Sequence, residues 1–498
     1  MRAGLGLAVL LVLLGAVAVW VYQRAATSNV GELSFDNELR IPELVEGERG
    51  SDGVVRFDLT VAEGSTTFKD GVATTTWGVN GAYLGPTLRA SRGDEVEIAV
   101  TNEVDETTTM HWHGMHLPAR MDGGPHQPIG PGETWTPTWT IDQRAATLWY
   151  HPHPHGATAE HVYRGVSGLF LLDDDEAGQL DLPSDYGVDD IPLIVQDRRF
   201  DGDGQFDLSA PMLSSLGVLG DDILINGTYD PHVAVVTERV RLRLLNASNS
   251  RFYDIGFVDD RPFQLIATDG GLLPAPATMS RVPLSPGERA EIVVEFAPGE
   301  DVVLRGFAPD LDAGFWNERF NGGDDTFDLI QFRAADTLAA SPAVPSELVP
   351  LDAPDEGAVS ESRTMRLSGR RVNDDRMDMA RVDEVVRAGA TEVWEVENAA
   401  GIPHNFHVHD VQFVVLDVDG EPPPPEMSGW KDTVSMRPGT TARLLIRFGD
   451  YTDPDIPYMF HCHVLSHEDA GMMGQFVVVG PGEEPGRPPD LGGHDDHS

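Results

Sequence analysis

Apolar and polar residues alternate with a period of two along much of this chain. Three such runs end at asparagine: Glu95–Asn102, Arg239–Asn246 and Glu392–Asn398. Each is followed by a Pro-Gly turn and a further alternating run. Gly130-Pro131-Gly132-Glu133 leads to Ile141, Ser285-Pro286-Gly287-Glu288 leads into Arg289–Phe296, and Arg437-Pro438-Gly439-Thr440 leads into Thr441–Phe448. Alternation places one set of side chains on a core face, and glycine and proline punctuate the runs, so the pattern predicts short strands. Its threefold recurrence predicts an all-β chain of three sandwich domains, near residues 45–178, 188–336 and 363–481. An alanine- and proline-rich stretch at 335–358 joins the second to the third.

Two segments escape the alternation. Residues 3–22 are almost wholly apolar, between Arg2 and Gln23-Arg24. That length suits a membrane span of about 20 residues and exceeds a signal-peptide core of about 7–15. An uncleaved anchor over residues 1–24 is favoured over a signal cleaved near Ala16-Val17-Ala18. Either way the chain is expected to be exported, to a periplasmic or extracellular face. At the other end, Gly482–Ser498 reads as a disordered tail.

Charge adds one exclusion. With 81 Asp plus Glu against 35 Lys plus Arg, the formal net charge is −46. Such a field repels nucleic acid and anionic membranes and attracts cations, so no nucleic-acid partner is expected. The acidic residues otherwise read as a solvated surface.

The candidate chemistry lies in the histidines. Residues 461–467 read His-Cys-His-Val-Leu-Ser-His, Cys462 is the only cysteine in 498 residues, and Met472 follows ten positions later. A lone cysteine excludes an internal disulfide. Cys462 as thiolate, His467 as imidazole and Met472 as thioether are three of the four ligands of a blue-copper site, and this soft set suits copper better than zinc. On a strand, residues i and i+2 share a face, so His461 and His463 address one site while Cys462 addresses another.

Three further His-x-His pairs occur: His111 with His113, His151 with His153, and His407 with His409. Paired Cα atoms lie about 6.6 Å apart on a strand, so with metal–nitrogen bonds of about 2.0 Å each pair suits two neighbouring metals better than one. Four pairs supply eight imidazoles for a cluster and leave His404 and His467 for the thiolate site. The first and third repeats each carry two pairs. The middle repeat has only His232, and Pro152 stands where the third repeat has Cys462. The cluster is therefore expected where domains one and three meet. His116, His126, His155 and His161 lie near the motifs but off their spacing.

These four motifs, with Asp122-Gly123-Gly124-Pro125, Leu148-Trp149-Tyr150 and Trp430-Lys431-Asp432-Thr433, resemble the copper signatures of the multicopper oxidases, the family of laccases, bacterial cuprous oxidases and bilirubin oxidases. The resemblance spans about residues 45–480. It implies cupredoxin-like Greek-key β-sandwiches and four coppers per chain. By resemblance, His404, Cys462, His467 and Met472 would hold a type 1 copper, and His111 and His407 a type 2 copper. His113, His151 and His463 would hold one type 3 copper, and His153, His409 and His461 the other. Asp122 and Glu468 resemble the family's acidic residues that handle protons at the cluster.

The implied reaction is one-electron oxidation of a phenol, an aromatic amine or a metal ion, coupled to four-electron reduction of O2 to water, in an expected monomer. Two alternatives come with the resemblance: a cuprous oxidase for copper tolerance, and a non-enzymatic cupredoxin scaffold associated with cell division. Scaffolds of this fold lose the copper, whereas all twelve ligands are present here. Cuprous oxidases of the family carry a methionine-rich insert, and an Asp and a Met ahead of the third motif. Here Asn398-Ala399-Ala400-Gly401-Ile402-Pro403 has neither, and Met377 and Met379 stand beside Asp374, Asp375 and Asp378. An open, acidic pocket for electron-rich phenols and amines is expected, with metal-ion oxidation secondary.

Overall fold

Each alternating run becomes strand in the computed structural model, which describes residues 2–69 and 71–489, with side chains from Leu10 onward. Glu95–Asn102, Arg239–Asn246 and Thr391–Asn398 are strands, and the runs after the Pro-Gly turns form Thr134–Trp135 with Thr138–Thr140, Arg289–Glu295 and Thr441–Arg447. Two sheets make up each sandwich: six and five strands in the first, six and seven in the second, six and five in the third. The sheets mix orientations. Val55–Val61 runs parallel to Val96–Asn102, and Glu95–Glu97 pairs antiparallel with Thr138–Thr140.

The connections differ in detail from the sequence pattern. Asn37–Glu38, ahead of the first sandwich, pairs with Pro231–His232 of the second. The strand Phe327–Ala339 carries the second sandwich past residue 335, and the irregular stretch beyond it buries Leu348 against Ile266, Ala267 and Leu272. Residues 482–489 are irregular but held: Gly486 N–H donates to Pro454 O at 2.8 Å, and Arg387 Nη1 donates to Glu483 O at 2.7 Å. The rest of the segment read as a tail, 490–498, lies outside the described residues.

Among the described residues four α-helices accompany the strands: α1 (Arg2–Ala25), α2 (Thr158–Arg164), α3 (Gly314–Phe320) and α4 (Leu465–Asp469). The first carries the apolar run. Among the described residues, no helix is long and apolar enough to cross a membrane.

The third core decides where the ligands point. Trp394, Phe406, Phe460 and Phe476 pack at ring-centroid distances of 5.6–6.3 Å. Phe406 and Val408 face into that core, so His407 and His409 face out of it. Tyr458, Phe460 and Cys462 also belong to the core, which turns His461 and His463 the opposite way. Truncating an aromatic such as Phe460 to alanine costs about 3–5 kcal/mol. The same packing that stabilises the sandwich therefore fixes which face carries metal ligands.

Candidate metal centres

Antiparallel pairing brings the motifs side by side. His111 lies opposite His151 in the first domain, and His407 lies opposite His461 in the third. The second strand of each pair ends at His151 or His461, and the next two residues continue past its edge. All eight imidazoles are buried where the two domains meet. His111 stacks on His409 across the domain boundary at 3.8 Å, and His113 stacks on His407 at 3.7 Å.

Hydrogen bonds fix the tautomers of these rings, because a carbonyl oxygen can only accept. Nδ1–H of His111, His407 and His151 donates to the carbonyls of Asp122, Asp432 and Pro152 at 3.0, 2.8 and 2.9 Å. His461 Nδ1–H donates to Cys462 O at 3.2 Å, and His409 Nδ1–H donates to Asp122 Oδ2 at 2.8 Å. The opposite nitrogens are thereby left as bare lone pairs aimed inward. Nε2 of His461 lies 3.2 Å from Nε2 of His409 and 3.1 Å from Nε2 of His153. His113 is reversed: its Nε2–H donates to Asp432 Oδ1 at 3.0 Å, so Nδ1 faces Nε2 of His151 at 3.4 Å. His111 Nε2, His407 Nε2 and both nitrogens of His463 are buried without any partner.

Lone pairs facing each other at such distances repel unless a cation lies between them. Two nitrogens bound to one ion at about 2.0 Å in tetrahedral geometry lie about 3.3 Å apart, close to the spacings here. Burial and neighbouring rings hold His113, His151, His407 and His409 well below the usual histidine range. The same causes bring His153 and His463 to about 3. Neutral imidazole is the form that binds metal, so the donor set fits a cluster of metal ions. Four groups share its histidines: His111–His113–His151, His111–His407–His409, His153–His409–His461 and His113–His407–Asp432.

A separate buried group unites His404, Cys462 and His467. The two imidazole Nδ1 atoms are 3.2 Å apart and lie 3.4 and 3.8 Å from Cys462 Sγ. His467 Nε2–H donates to Ser215 O at 2.9 Å, which leaves Nδ1 as the lone pair. Burial pushes the thiol up to about 12, so a bound cation is what would make it a thiolate at neutral pH. Met472 is fully buried in the same core; its N–H donates to His467 O, and Cys462 N–H donates to its carbonyl. Asn405 links the two groups: its Oδ1 accepts from His463 N–H at 2.6 Å and from the thiol at 3.5 Å.

The two acids singled out by sequence both reach the cluster. Asp122 bonds His111 through its carbonyl and His409 through its carboxylate. Glu468, on α4, has Oε2 3.1 Å from His461 Nδ1 and Oε1 3.5 Å from His153 Nε2. Burial opposes its charge, yet His153 and His461 hold it well below the usual carboxylate range.

Asp432 completes a symmetry that no spacing reveals. It bonds His407 of its own domain through its carbonyl and His113 of the first domain through its carboxylate, as Asp122 does in reverse. Arg289 of the middle domain grips both Asp432 oxygens, at 2.7 and 2.6 Å. Its remaining donors go to Thr147 O at 2.9 Å, Asp269 O at 2.9 Å and Gly287 O at 3.2 Å, so one guanidinium ties all three domains. The packing there is tight. A Cβ on Gly114, whose φ is +85°, would lie 2.5 Å from Asp432 Oδ2. The only sequence signal for Asp432 is its place in the motif Trp430–Thr433.

Three of the off-spacing histidines have other partners. His116 pairs with Asp410 at 2.7 Å, His126 with Gln475 at 2.8 Å and His161 with Thr108 at 3.0 Å. On the third-domain side, the segment 374–379 reaches the thiolate centre's ligand loop, where Met377 N–H donates to Gly471 O, beside Met472, at 2.9 Å. The second domain adds to that rim through Ser215, which touches His467, and through Asn317 Nδ2, which donates to Gly401 O at 2.7 Å.

β-sandwiches that set a Cys–His group beside a histidine cluster fit a cupredoxin-type protein able to hold metal ions at both places. Residues 60–177 and 348–481 each match a sequence model described as multicopper oxidase. The multicopper oxidase mco of Staphylococcus haemolyticus is 36% identical over 454 residues, which is 89% of this chain and 93% of that protein. The cell division protein FtsP of Dickeya dadantii is 36% identical over 450 residues, covering 89% and 92%. Among solved structures, the laccase-like multi-copper oxidase CueO from Ochrobactrum sp. superposes with a TM-score of 0.81 at 37% identity, covering 89% of this chain and 100% of that one. The chain belongs to the multicopper oxidase family, and its sandwiches have the cupredoxin-like fold of that family.

Proposed function

We propose that this protein binds four coppers and couples one-electron oxidation of aromatic reductants to four-electron reduction of O2 to water. The carrying observation is the set of buried, mutually facing imidazole lone pairs joined to a thiolate centre by His461-Cys462-His463. His404, Cys462, His467 and Met472 would hold the type 1 copper, which supplies a one-electron acceptor. The eight cluster histidines would hold the other three coppers, divided as the family motifs imply, and these supply the site of O2 reduction. The chain itself then contributes three things. It conducts electrons through the bonds from Cys462 to its flanking histidines, fixes ring orientation through Asp122 and Asp432, and moves protons through Asp122 and Glu468.

Copper analysis tests this directly. About four coppers per chain are expected, with one O2 consumed for every four ferrocyanide ions oxidised. A chain that binds no copper after metal loading would overturn the reading and leave the scaffold role of its FtsP relatives. The intact ligand set argues against that role, and the lack of an acid or thioether at 398–403 argues against dedicated cuprous oxidation. We further infer export, with the apolar residues 3–22 holding the chain at a membrane.

Asp122→Ala and Glu468→Gln should slow reoxidation by O2 by about 10–100-fold, the usual effect of losing a group that supports a metal ligand. Reduction of the Cys462 centre by donor should change much less, because both carboxylates bond cluster histidines rather than the ligands of that centre. Stopped-flow measurement of the two half-reactions separates them. Equal slowing of both would count against a proton role.

A further inference from the structure

Among the described residues outside α1, only four large apolar side chains are more than half exposed: Met212 (69%), Leu213 (63%), Phe315 (66%) and Trp316 (58%). All four sit on the two segments that flank the thiolate centre. Residues 212–213 precede Ser215, whose carbonyl takes the His467 Nε2–H. Phe315 and Trp316 lie on α3, where Asn317 donates to Gly401 O, three residues ahead of His404. Asn321 binds the segments together, since its Oδ1 accepts from Ser215 N–H at 2.8 Å and from Leu216 N–H at 3.2 Å.

This patch continues onto α1. Tyr22 stacks on Phe315 at 4.7 Å and meets Trp316 edge-on at 5.9 Å. Arg319 donates to the carbonyls of Tyr22 and Gln23 at 2.7 and 3.1 Å, which fastens the helix end to α3. From Leu10 to Trp20 the helix exposes Leu, Val and Trp side chains. An apolar surface of this extent needs a covering partner. Aromatic rings and one arginine at the end of an apolar helix suit the interface of a bilayer. The net charge of −46 points to a zwitterionic rather than an anionic surface.

We propose that this face rests on a lipid bilayer and that the reductant is a lipophilic hydroquinone dissolved in it. The proposal rests on the oxidase reading above, with the Cys462 centre as the electron entry. The Ser215 carbonyl, two residues past Leu213, accepts the Nε2–H of the copper ligand His467, so the exposed patch and the centre share one segment. Two hydroquinones release four electrons and four protons and become two quinones; the same four electrons and four protons turn one O2 into two waters.

The test uses the full copper-loaded chain with phosphatidylcholine vesicles and two donors, decyl-substituted and unsubstituted hydroquinone. The chain should float with the vesicles, and kcat/KM for the decyl donor should exceed that for the unsubstituted one by about tenfold, a conservative share of the apolar burial a decyl chain offers. The double variants Phe315→Ser with Trp316→Ser, and Met212→Ser with Leu213→Ser, should bring the ratio close to one. Copper content and visible absorption show that each variant keeps its centre. An unchanged ratio in both variants, or self-association of the chain without flotation, would overturn the proposal and, in the second case, assign the face to another copy. Failure of the wild type to oxidise either donor would instead remove the oxidase reading on which the proposal stands.

Discussion

Cys462→Ser should abolish the intense visible absorption of the copper-loaded protein and lower bound copper from about four per chain to about three. The band is expected from a thiolate–copper bond, and no other cysteine can replace it. Serine keeps the volume but offers a hard, weakly acidic oxygen in a buried apolar core shared with Phe406, Phe460 and Met472. The cluster histidines keep their hydrogen bonds to Asp122, Asp432 and Pro152, so their metals should remain. Oxidation of donors should drop to about one-hundredth of wild type or lower, since losing even a group behind a ligand costs 10–100-fold. Absorption spectroscopy with copper analysis decides the matter. A persistent blue band would remove Cys462 from the electron-entry centre.

The second large effect is expected from Arg289→Met. Asp432 is fully buried, and its two oxygens depend on the Arg289 fork, with Oδ1 also taking the His113 Nε2–H. Removing the cation strands a buried carboxylate, which costs about 3–5 kcal/mol. The melting temperature of the metal-free protein should fall by several degrees, and copper should be lost from the cluster before the Cys462 centre. Arg289→Lys should rescue little, because an ammonium cannot match both carboxylate oxygens and the three carbonyls together. Calorimetry of the metal-free variant and the paramagnetic signal of the copper-loaded one report the two effects separately. Unchanged stability with full copper would mean that the middle domain does not support the cluster. Arg289 thus offers a physical reason for a domain that supplies no ligand: it joins Thr147, Asp269 and Asp432 from three domains.

Legibility in the sequence followed the range of each interaction. The His-x-His pairs could be read because alternation is a local rule, and Phe406 and Val408 in the core force His407 and His409 out of it. The same rule separated Cys462 from His461 and His463, although the strand ends at His461. Asp122 was readable through its resemblance to the family's acidic residues, whereas Asp432 was visible only as part of a motif. Its role depends on a contact 319 residues away along the chain, with His113. In the segment that composition reads as a tail, Gly486 bonds Pro454 and Glu483 bonds Arg387, contacts that no local pattern announces.

The rim of the thiolate centre is the clearest case. The sequence directed attention to residues 374–379 of the third domain, near the ligands in chain order. The structure keeps Met377 against Gly471 and adds Ser215 and α3 of the second domain, with Phe315 and Trp316 exposed. By itself, the sequence determined the strand pattern, the three repeats, the inventory of candidate ligands and the family, because these rest on residue type and on spacings of a few positions. Only the tertiary structure decided which lone pairs face one another, which acids support them, and which surface surrounds the Cys462 centre. Those properties arise where three separately patterned sandwiches meet, and the packing angle between domains is written in no single stretch of chain.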